Sequence, residues 1–390
     1  MILKLWQKRV YRPEALLLMA QDWLGIRHPV GENRFHLQEA VNWILRAQSA
    51  TPDDGVCGGY SFEDGWIPSY PETTGYIIPT LLGYSKYSNN PLYRDRALAM
   101  AEWELTCQME TGAFPGHFVD RKNPPAVFNT GQVIFGLLAA YRATQCRRFL
   151  DAAVRAGRWL VSIQDADGAY RQYDYLGVAH SYNTRTAWAM IELSLETEDR
   201  SVGDAGLRHL EWALQEAQDN GWFRHAAFRP GEDPFLHTIA YVAQGLLEAG
   251  QRLGQSRYVA AAQRTCDTLL SHVDDEGFIP GAFDRNWNPT ATYSCLTGNA
   301  QMAILWLRLH ELTGEKHYHE TATLTLRFLK SLQDCRTSNF CVRGAIKGSH
   351  PISGRYLFGT YPNWATKFFI DALLLEEALN QGVASWIECW

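Results

Sequence analysis

The stretch Cys57–Tyr84, CGGYSFEDGWIPSYPETTGYIIPTLLGY, carries the pattern that repeats along the whole chain. A Gly- and aromatic-rich loop through Asp64, Gly65 and Trp66 runs into a Tyr70-Pro71-Glu72-Thr73-Thr74 corner. An apolar, helix-like run from Gly75 to Tyr84 follows. The corner sets a carboxylate, a phenol and two hydroxyls beside a helix start, where backbone N–H groups lack partners.

On either side the same order of loop, corner and helix recurs. Six helices end in related texts: WILRAQ (43–48), WELTCQ (103–108), WLVSIQ (159–164), WALQEAQ (212–218), TLLSHV (268–273) and FLKSLQ (328–333). Turns such as ETGAF (110–114), DADGAY (165–170), DNGWF (219–223) and DEGFI (275–279) follow four of them, where Gly supplies a left-handed position and stops the helix. Six second helices begin near Thr74, Thr130, Thr184, Thr238, Thr297 and Thr366, at intervals of 56, 54, 54, 59 and 69 residues. Small residues near their starts (Gly75, Gly131, Ala187, Ala240, Gly298, Ala365) suit close packing. The links that follow them are short, as between antiparallel neighbours.

Strand-like alternation is hard to find. Six helical hairpins, twelve helices in all, predict an all-α fold closed into an (α/α)6 toroid. An open solenoid of tetratricopeptide type has a repeat of about 34 residues, too short for this period. Residues 1–34 read as a lead-in with one helix near Glu14–Leu24, and 35–390 as the toroid domain. In a closed ring all six long loops leave at one rim and converge on one mouth, the kind of concave, loop-built position that ligands favour.

The chain has 390 residues, 46% hydrophobic and 20% charged, enough for a large core. Its net charge of -6 offers no global basic field, so nucleic acid is not an expected partner. No run approaches the roughly 18 apolar residues of a spanning helix. Eight dispersed cysteines without a CxxC pair fit a reducing compartment, and the N-terminal text lacks a clear secretory signal, so a cytoplasmic location is expected.

Several residues could reach the mouth. Glu72 stands where the related corner of the sixth unit, Tyr361-Pro362-Asn363, has an Asn, and Tyr70 and Tyr361 flank these positions. Glu72 is either a catalytic carboxylate or a helix-start cap. Units two and five carry related loops, GHFVDRKNP (116–124) and GAFDRNWNP (281–289), which face each other in a ring of six. Asp120 and Asp284 could then flank a substrate, with Arg285 and Trp287 beside it; alternatively each Asp-Arg pair locks its own loop. Unit three is the densest, with Asp174, His180, Tyr182, Asn183 and Arg185. Asn and Arg would neutralise an acid group while His or Tyr moves a proton. His237, Tyr356 and the loop aromatics, Trp66 among them, add binding surface for sugar faces or isoprenoid chains.

The PSYPETTGYIIPTLL and YPNWATKFFIDALL segments resemble uncharacterised toroid proteins associated with bacterial polysaccharide synthesis. More distantly, the Gln-turn-Gly-aromatic repeat is similar to six-hairpin carbohydrate-active proteins: glucuronyl C5-epimerase C-terminal domains, sugar 2-epimerases and unsaturated-glucuronyl hydrolases. The resemblance implies a saccharide ligand, an exopolysaccharide or its oligosaccharide, and hydrolase, lyase or epimerase chemistry without a cofactor. Paired carboxylates would serve hydrolysis; His180, Tyr182 or Tyr356, with Asn183 and Arg185 on a uronate, would serve lysis or epimerisation. A polysaccharide-binding or assembly factor without turnover is the alternative. Isoprenoid-handling toroids also share the repeat, but the chain has no DxDD run, no Cys-His-Gly segment and no zinc-ligand pattern, so no metal is expected.

Overall fold

The structure, a computed structural model, describes residues 12–387. A lead-in helix α1 (Pro13–Trp23) precedes twelve helices: α2 (Asn33–Gln48), α3 (Pro71–Ser88), α4 (Pro91–Cys107), α5 (Val127–Thr144), α6 (Arg147–Ile163), α7 (Thr184–Thr197), α8 (Arg200–Gln215), α9 (Leu236–Leu253), α10 (Ser256–Leu270), α11 (Leu296–Thr313), α12 (Lys316–Leu332) and α13 (Asn363–Gln381). Each inner helix (α3, α5, α7, α9, α11, α13) packs on the next, and α13 packs on α3, closing the ring. Five hairpins join an inner helix to the following outer one. The sixth is made from the two ends of the chain, α13 against α2.

The local sequence explains the hairpins. Every inner-to-outer link has two residues, and the first is left-handed: Asn89 (φ 50°), Gln145 (58°), Glu198 (58°), Gly254 (64°) and Gly314 (73°). Pro71 and Pro91 open α3 and α4, where a missing N–H costs nothing. Asn90 caps α4 by accepting from the Leu92 N–H (3.0 Å). Inner helices are buried on almost every face, as α5 and α9 show, whereas outer helices such as α6 and α8 bury one stripe.

The repeated Gln has a structural cause. The Gln108 amide donates to Gly112 O in its own turn (2.9 Å) and to Ala152 O on the next outer helix (2.8 Å). Gln164 does the same with Gly168 and Ala205, and Gln48 joins Asp54 to Arg96. Gln333 bonds Gly344 O and reaches His36 O on α2, so the same staple closes the outer ring. The repeated Thr is also explained: Thr74, Thr130 and Thr366 each accept a backbone N–H from their own long loop, at 2.9 to 3.0 Å.

Close approach inside the ring follows from small residues. A Cβ on Gly136 would lie 2.3 Å from Gly75 O, and one on Gly75 would lie 2.6 Å from Val133 Cα. Short strands occur in the loops, too brief to be legible in sequence. β1 (Gly59–Ser61) pairs with β2 (Gly65–Trp66) and with β5 (Thr360–Pro362), stitching the first long loop to the last; β3 (Ser294–Cys295) pairs with β4 (Ser349–His350).

Candidate active site

The long loops converge on a central cavity of about 710 Å³ above the inner ring. Glu72 and Tyr76 project from the first turns of α3, Phe128 and Asn129 from α5, and His237 and Tyr241 from α9. Tyr173 to Leu176, Phe228 to Arg229 and Tyr356 form the loop walls. Four non-glycine residues on this lining, His117, Tyr173, Leu176 and Leu357, are left-handed. Backbone strain of this kind collects at functional sites.

The Tyr70 hydroxyl donates to Glu72 Oε2 at 2.5 Å. Burial is the largest influence on this carboxyl and pushes it up to about 7, against the opposing effects of the Tyr70 hydrogen bond and the Arg185 charge. Asp174 is held by three donors or potential donors: the Tyr175 N–H (2.8 Å), Asn183 Nδ2 (2.7 Å) and His180 Nδ1 (3.1 Å). Burial raises its pKa and the three hydrogen bonds oppose that rise. The His180 ring stacks on Tyr182 with centroids 4.6 Å apart. After burial itself, Asp174 and Glu72 are the two largest causes of the raised Tyr182 pKa, so this phenol feels both carboxyl groups.

His237 Nδ1 meets Gln301 Oε1 at 2.8 Å. Burial first, then the Arg185 charge, press its pKa down to about 4, so the ring is neutral near pH 7. Tyr356 accepts from Trp364 Nε1 at 2.8 Å on the far wall.

Arg185 is not on the lining. Fully buried below the floor, it donates to Gln132 Oε1 (2.7 Å) and Gln244 Oε1 (2.5 Å). Tyr76, Phe135, Trp188, Tyr241 and Phe368 surround its guanidinium at 5.3 to 5.9 Å. A cation behind an aromatic screen sends its field into the cavity without touching a ligand, which corrects the expectation of a direct uronate contact. Asn183 likewise serves from behind, through Asp174.

Of the sequence candidates, Glu72, Tyr70, Asp174, Tyr182, His237 and Tyr356 come together on the cavity. His180 backs Asp174 and lines an adjoining cavity. The expected pairing of Asp120 with Asp284 does not form. Asp120 sits at the exposed tip of its loop. Asp284 folds back on its own loop, accepting from the Asn286 and Asn288 N–H groups and from Asn288 Nδ2. The fifth loop is drawn outward because Trp287 packs on Trp222 and donates to Asn220 O, and Asn220 in turn binds Arg285 O. Trp66 packs half-buried on Trp43 and Tyr60, and Tyr361 is buried in β5 against Phe62, so neither lines the cavity.

The sequence reading missed Tyr76, Tyr241, Asn129 and Glu232. The first two had a signal: they lie four residues after Glu72 and His237, one helical turn along the same face. Among the described residues no cluster of His, Cys, Asp and Glu could hold a metal ion.

A second cavity of about 510 Å³ adjoins the first. His180, Arg229 and Glu232 border it and Trp212, Glu216 and His225 line its outer part. His225 stacks on Trp212, and its Nε2 lies 3.5 Å from Glu216.

The sequence model of the N-acylglucosamine 2-epimerase (GlcNAc 2-epimerase) family matches residues 165–342. Among solved structures, an unsaturated glucuronyl hydrolase specific for heparin superposes with a TM-score of 0.72 at 15% identity, over 89% of this chain and 97% of the other. A sugar epimerase from a ruminal bacterium gives 0.72 at 14%, over 90% and 98%. Cellobiose 2-epimerase from Bacillus thermoamylovorans gives 0.69 at 12%, over 88% and 98%. The chain has the (α/α)6 toroid fold. No curated protein matches it in sequence.

Proposed function

We propose that this toroid is a carbohydrate-active enzyme that hydrolyses a glycosidic bond in an oligosaccharide, with Glu72 as proton donor and Asp174 as the second carboxylate. The observation that carries this reading is Glu72 itself: a buried carboxyl on the cavity wall, held by a single phenol and poised near neutral pH. A general acid works best when its pKa lies near the working pH. Glu72 would give its proton to the glycosidic oxygen as the bond from that oxygen to the anomeric carbon breaks. Water would add to the carbon and lose a proton to Asp174, whose three partners fix its orientation.

The aromatic walls suit apolar sugar faces, and the carboxyl groups suit hydroxyls. Arg229 is the sole Arg or Lys on the described lining, whereas Glu72, Asp174 and Glu232 are acidic, so a neutral sugar fits the centre better than a uronate. The adjoining cavity would take further residues of the chain.

Epimerisation is the second reading, favoured by the family match over residues 165–342 and by the epimerase neighbours. It would call on His237 as a base, but a ring held near 4 takes up protons poorly at neutral pH.

Incubation with neutral and acidic oligosaccharides, scored for new reducing ends and for deuterium uptake from solvent, tests the proposal. New reducing ends that vanish with Glu72→Gln support hydrolysis. Deuterium at a sugar carbon without new ends overturns it in favour of epimerisation. Saccharide binding without turnover overturns it in favour of a binding factor.

A further inference from the structure

Tyr182 has no part in the proposed proton transfers, yet it stands beside a group that does. It lies in the short 3-10 turn Ser181–Asn183 that leads into α7. The backbone of this turn is pinned, with the Ser181 N–H on His225 O (3.0 Å) and the Asn183 N–H on His180 O (3.3 Å). His180, which backs Asp174, stacks on one face of the Tyr182 ring. Phe128 and Phe228 stand T-shaped to it at 5.5 and 5.8 Å. The phenol is therefore held in place, and it is only 4% exposed.

Its hydroxyl is left over. The other phenols deep in the cavity are engaged or shut away. Tyr70 donates to Glu72, Tyr356 accepts from Trp364, and the oxygens of Tyr76 and Tyr241 are sealed from solvent. Among the described residues no protein group hydrogen-bonds the Tyr182 hydroxyl, and it is not sealed. A buried phenol on a cavity wall, with its ring fixed and its hydroxyl unmet by protein, is a group placed for a ligand.

Its neighbours indicate which part of the ligand it meets. Hydrolysis sets the anomeric carbon between the proton donor and the second carboxylate, here Glu72 and Asp174. Tyr182 is tied to Asp174 through the His180 ring. Burial first, then the Asp174 and Glu72 charges, raise its pKa, so the phenol lies within reach of both. Beside the anomeric carbon a sugar ring carries its ring oxygen and the hydroxyl of the adjacent carbon. As positive charge grows at the anomeric carbon, the ring oxygen gives up electron density and accepts poorly. The adjacent hydroxyl becomes a stronger donor at the same moment, and its hydrogen bonds tighten in the transition state. We infer that Tyr182 is a specificity-determining residue whose phenol oxygen accepts from the hydroxyl next to the anomeric carbon, so that the substrate is a neutral sugar carrying that hydroxyl free. The choice of hydroxyl rests on the hydrolytic roles proposed for Glu72 and Asp174.

The test sets glucose, mannose and galactose beside the counterparts that lack this hydroxyl. Binding to the full chain is measured by calorimetry, and turnover on the para-nitrophenyl glycosides of the same sugars in both anomers. The parent should bind at least one hydroxyl-bearing sugar roughly tenfold more tightly than its deoxy counterpart, and Tyr182→Phe should erase the difference. In turnover, Tyr182→Phe should lower kcat/KM on the hydroxyl-bearing glycoside by about 10- to 100-fold and leave the deoxy glycoside unchanged. A merely structural role would lower both. The hydroxyl bonds no protein group, so the melting temperature should not move. Equal losses on both glycosides, or a preference for the hydroxyl that survives in Tyr182→Phe, overturn the inference and leave hydrolysis standing. A preference in binding that depends on Tyr182, without release of nitrophenol, supports the inference while hydrolysis fails. Failure to bind any of these sugars overturns it.

Discussion

Tyr70 and Glu72, two residues apart at the start of α3, share a 2.5 Å hydrogen bond inside the cavity, with the phenol as donor. That bond opposes the effect of burial on Glu72, so the residue before the helix tunes the acidity of the carboxyl in its first turn. Replacing Glu72 with Gln should lower turnover by about 10²- to 10⁴-fold with little change in saccharide affinity. Tyr70→Phe should keep activity and move the alkaline limb of the pH–rate profile upward by about one to two units, because the protonated form then persists to higher pH. Initial rates across pH 5 to about 10 check both.

The same carboxyl gives a stability signature. Its folded pKa of about 7 is above its ordinary value of 4.5, so the folded state holds the proton more tightly. This contribution is complete below about 4.5 and is lost as pH rises through about 7. Glu72→Gln, which resembles the protonated acid, should therefore be more stable than the parent above pH 7, by up to about 3 kcal/mol. Near pH 4 the two should match. Urea unfolding at the two pH values measures the difference.

Asp174 must be ionised to accept a proton, and its partners favour that form. Asn183→Ala removes the 2.7 Å bond and should move the acid limb of kcat/KM upward while a measurable rate remains. Asp174→Asn should abolish the acid limb together with most of the turnover. A pH–rate series on the two variants separates positioning from proton transfer.

Beneath the floor, Arg185→Met would leave Gln132 and Gln244 without their buried donor. A cost of about 3 kcal/mol is expected, from roughly 1–3 kcal/mol for each unsatisfied group. Losing the charge should also raise the alkaline limb, since the Arg185 charge lowers the Glu72 pKa, whereas Arg185→Lys keeps the charge, should cost less and should leave the limb near its place. Thermal melting with a pH–rate series covers both effects.

At the crossing of α3 and α5, Gly136→Ala would drive a Cβ against Gly75 O. The helices must separate, at about 1–3 kcal/mol of overpacking strain. A lowered denaturant midpoint with an unchanged m-value would report this.

The architecture was legible because its signals are local and repeated. Gln108, Gln164 and Gln333 do the same work in three turns, so the text keeps the residue wherever the geometry keeps the bond. The site was legible only in part. Glu72 stood out against Asn363, and the environments differ accordingly: Asn363 donates to Cys57 O and Thr73 Oγ1 in the closing seam, while Glu72 faces the cavity. The likeness of the second and fifth loops misled, because a shared motif does not fix where a loop leans. Trp222 and Asn220 draw Trp287 and its loop away from the mouth, a long-range contact that no repeat could announce. Arg185 is a charge in a core, and sequence alone does not say whether such a residue faces ligand or protein.

The hairpin built from α2 and α13 has a consequence for biosynthesis. Cys57 and Asn363 meet across the seam although 306 positions separate them. A chain made from its N-terminus forms α2 early, and the face of α2 that packs on α13 lacks that partner until α13 emerges. The cavity is therefore completed last, when the end of the chain docks against its beginning. Before that point the nascent chain carries a helix face without its partner, and transiently exposed apolar surface of this kind is prone to aggregation.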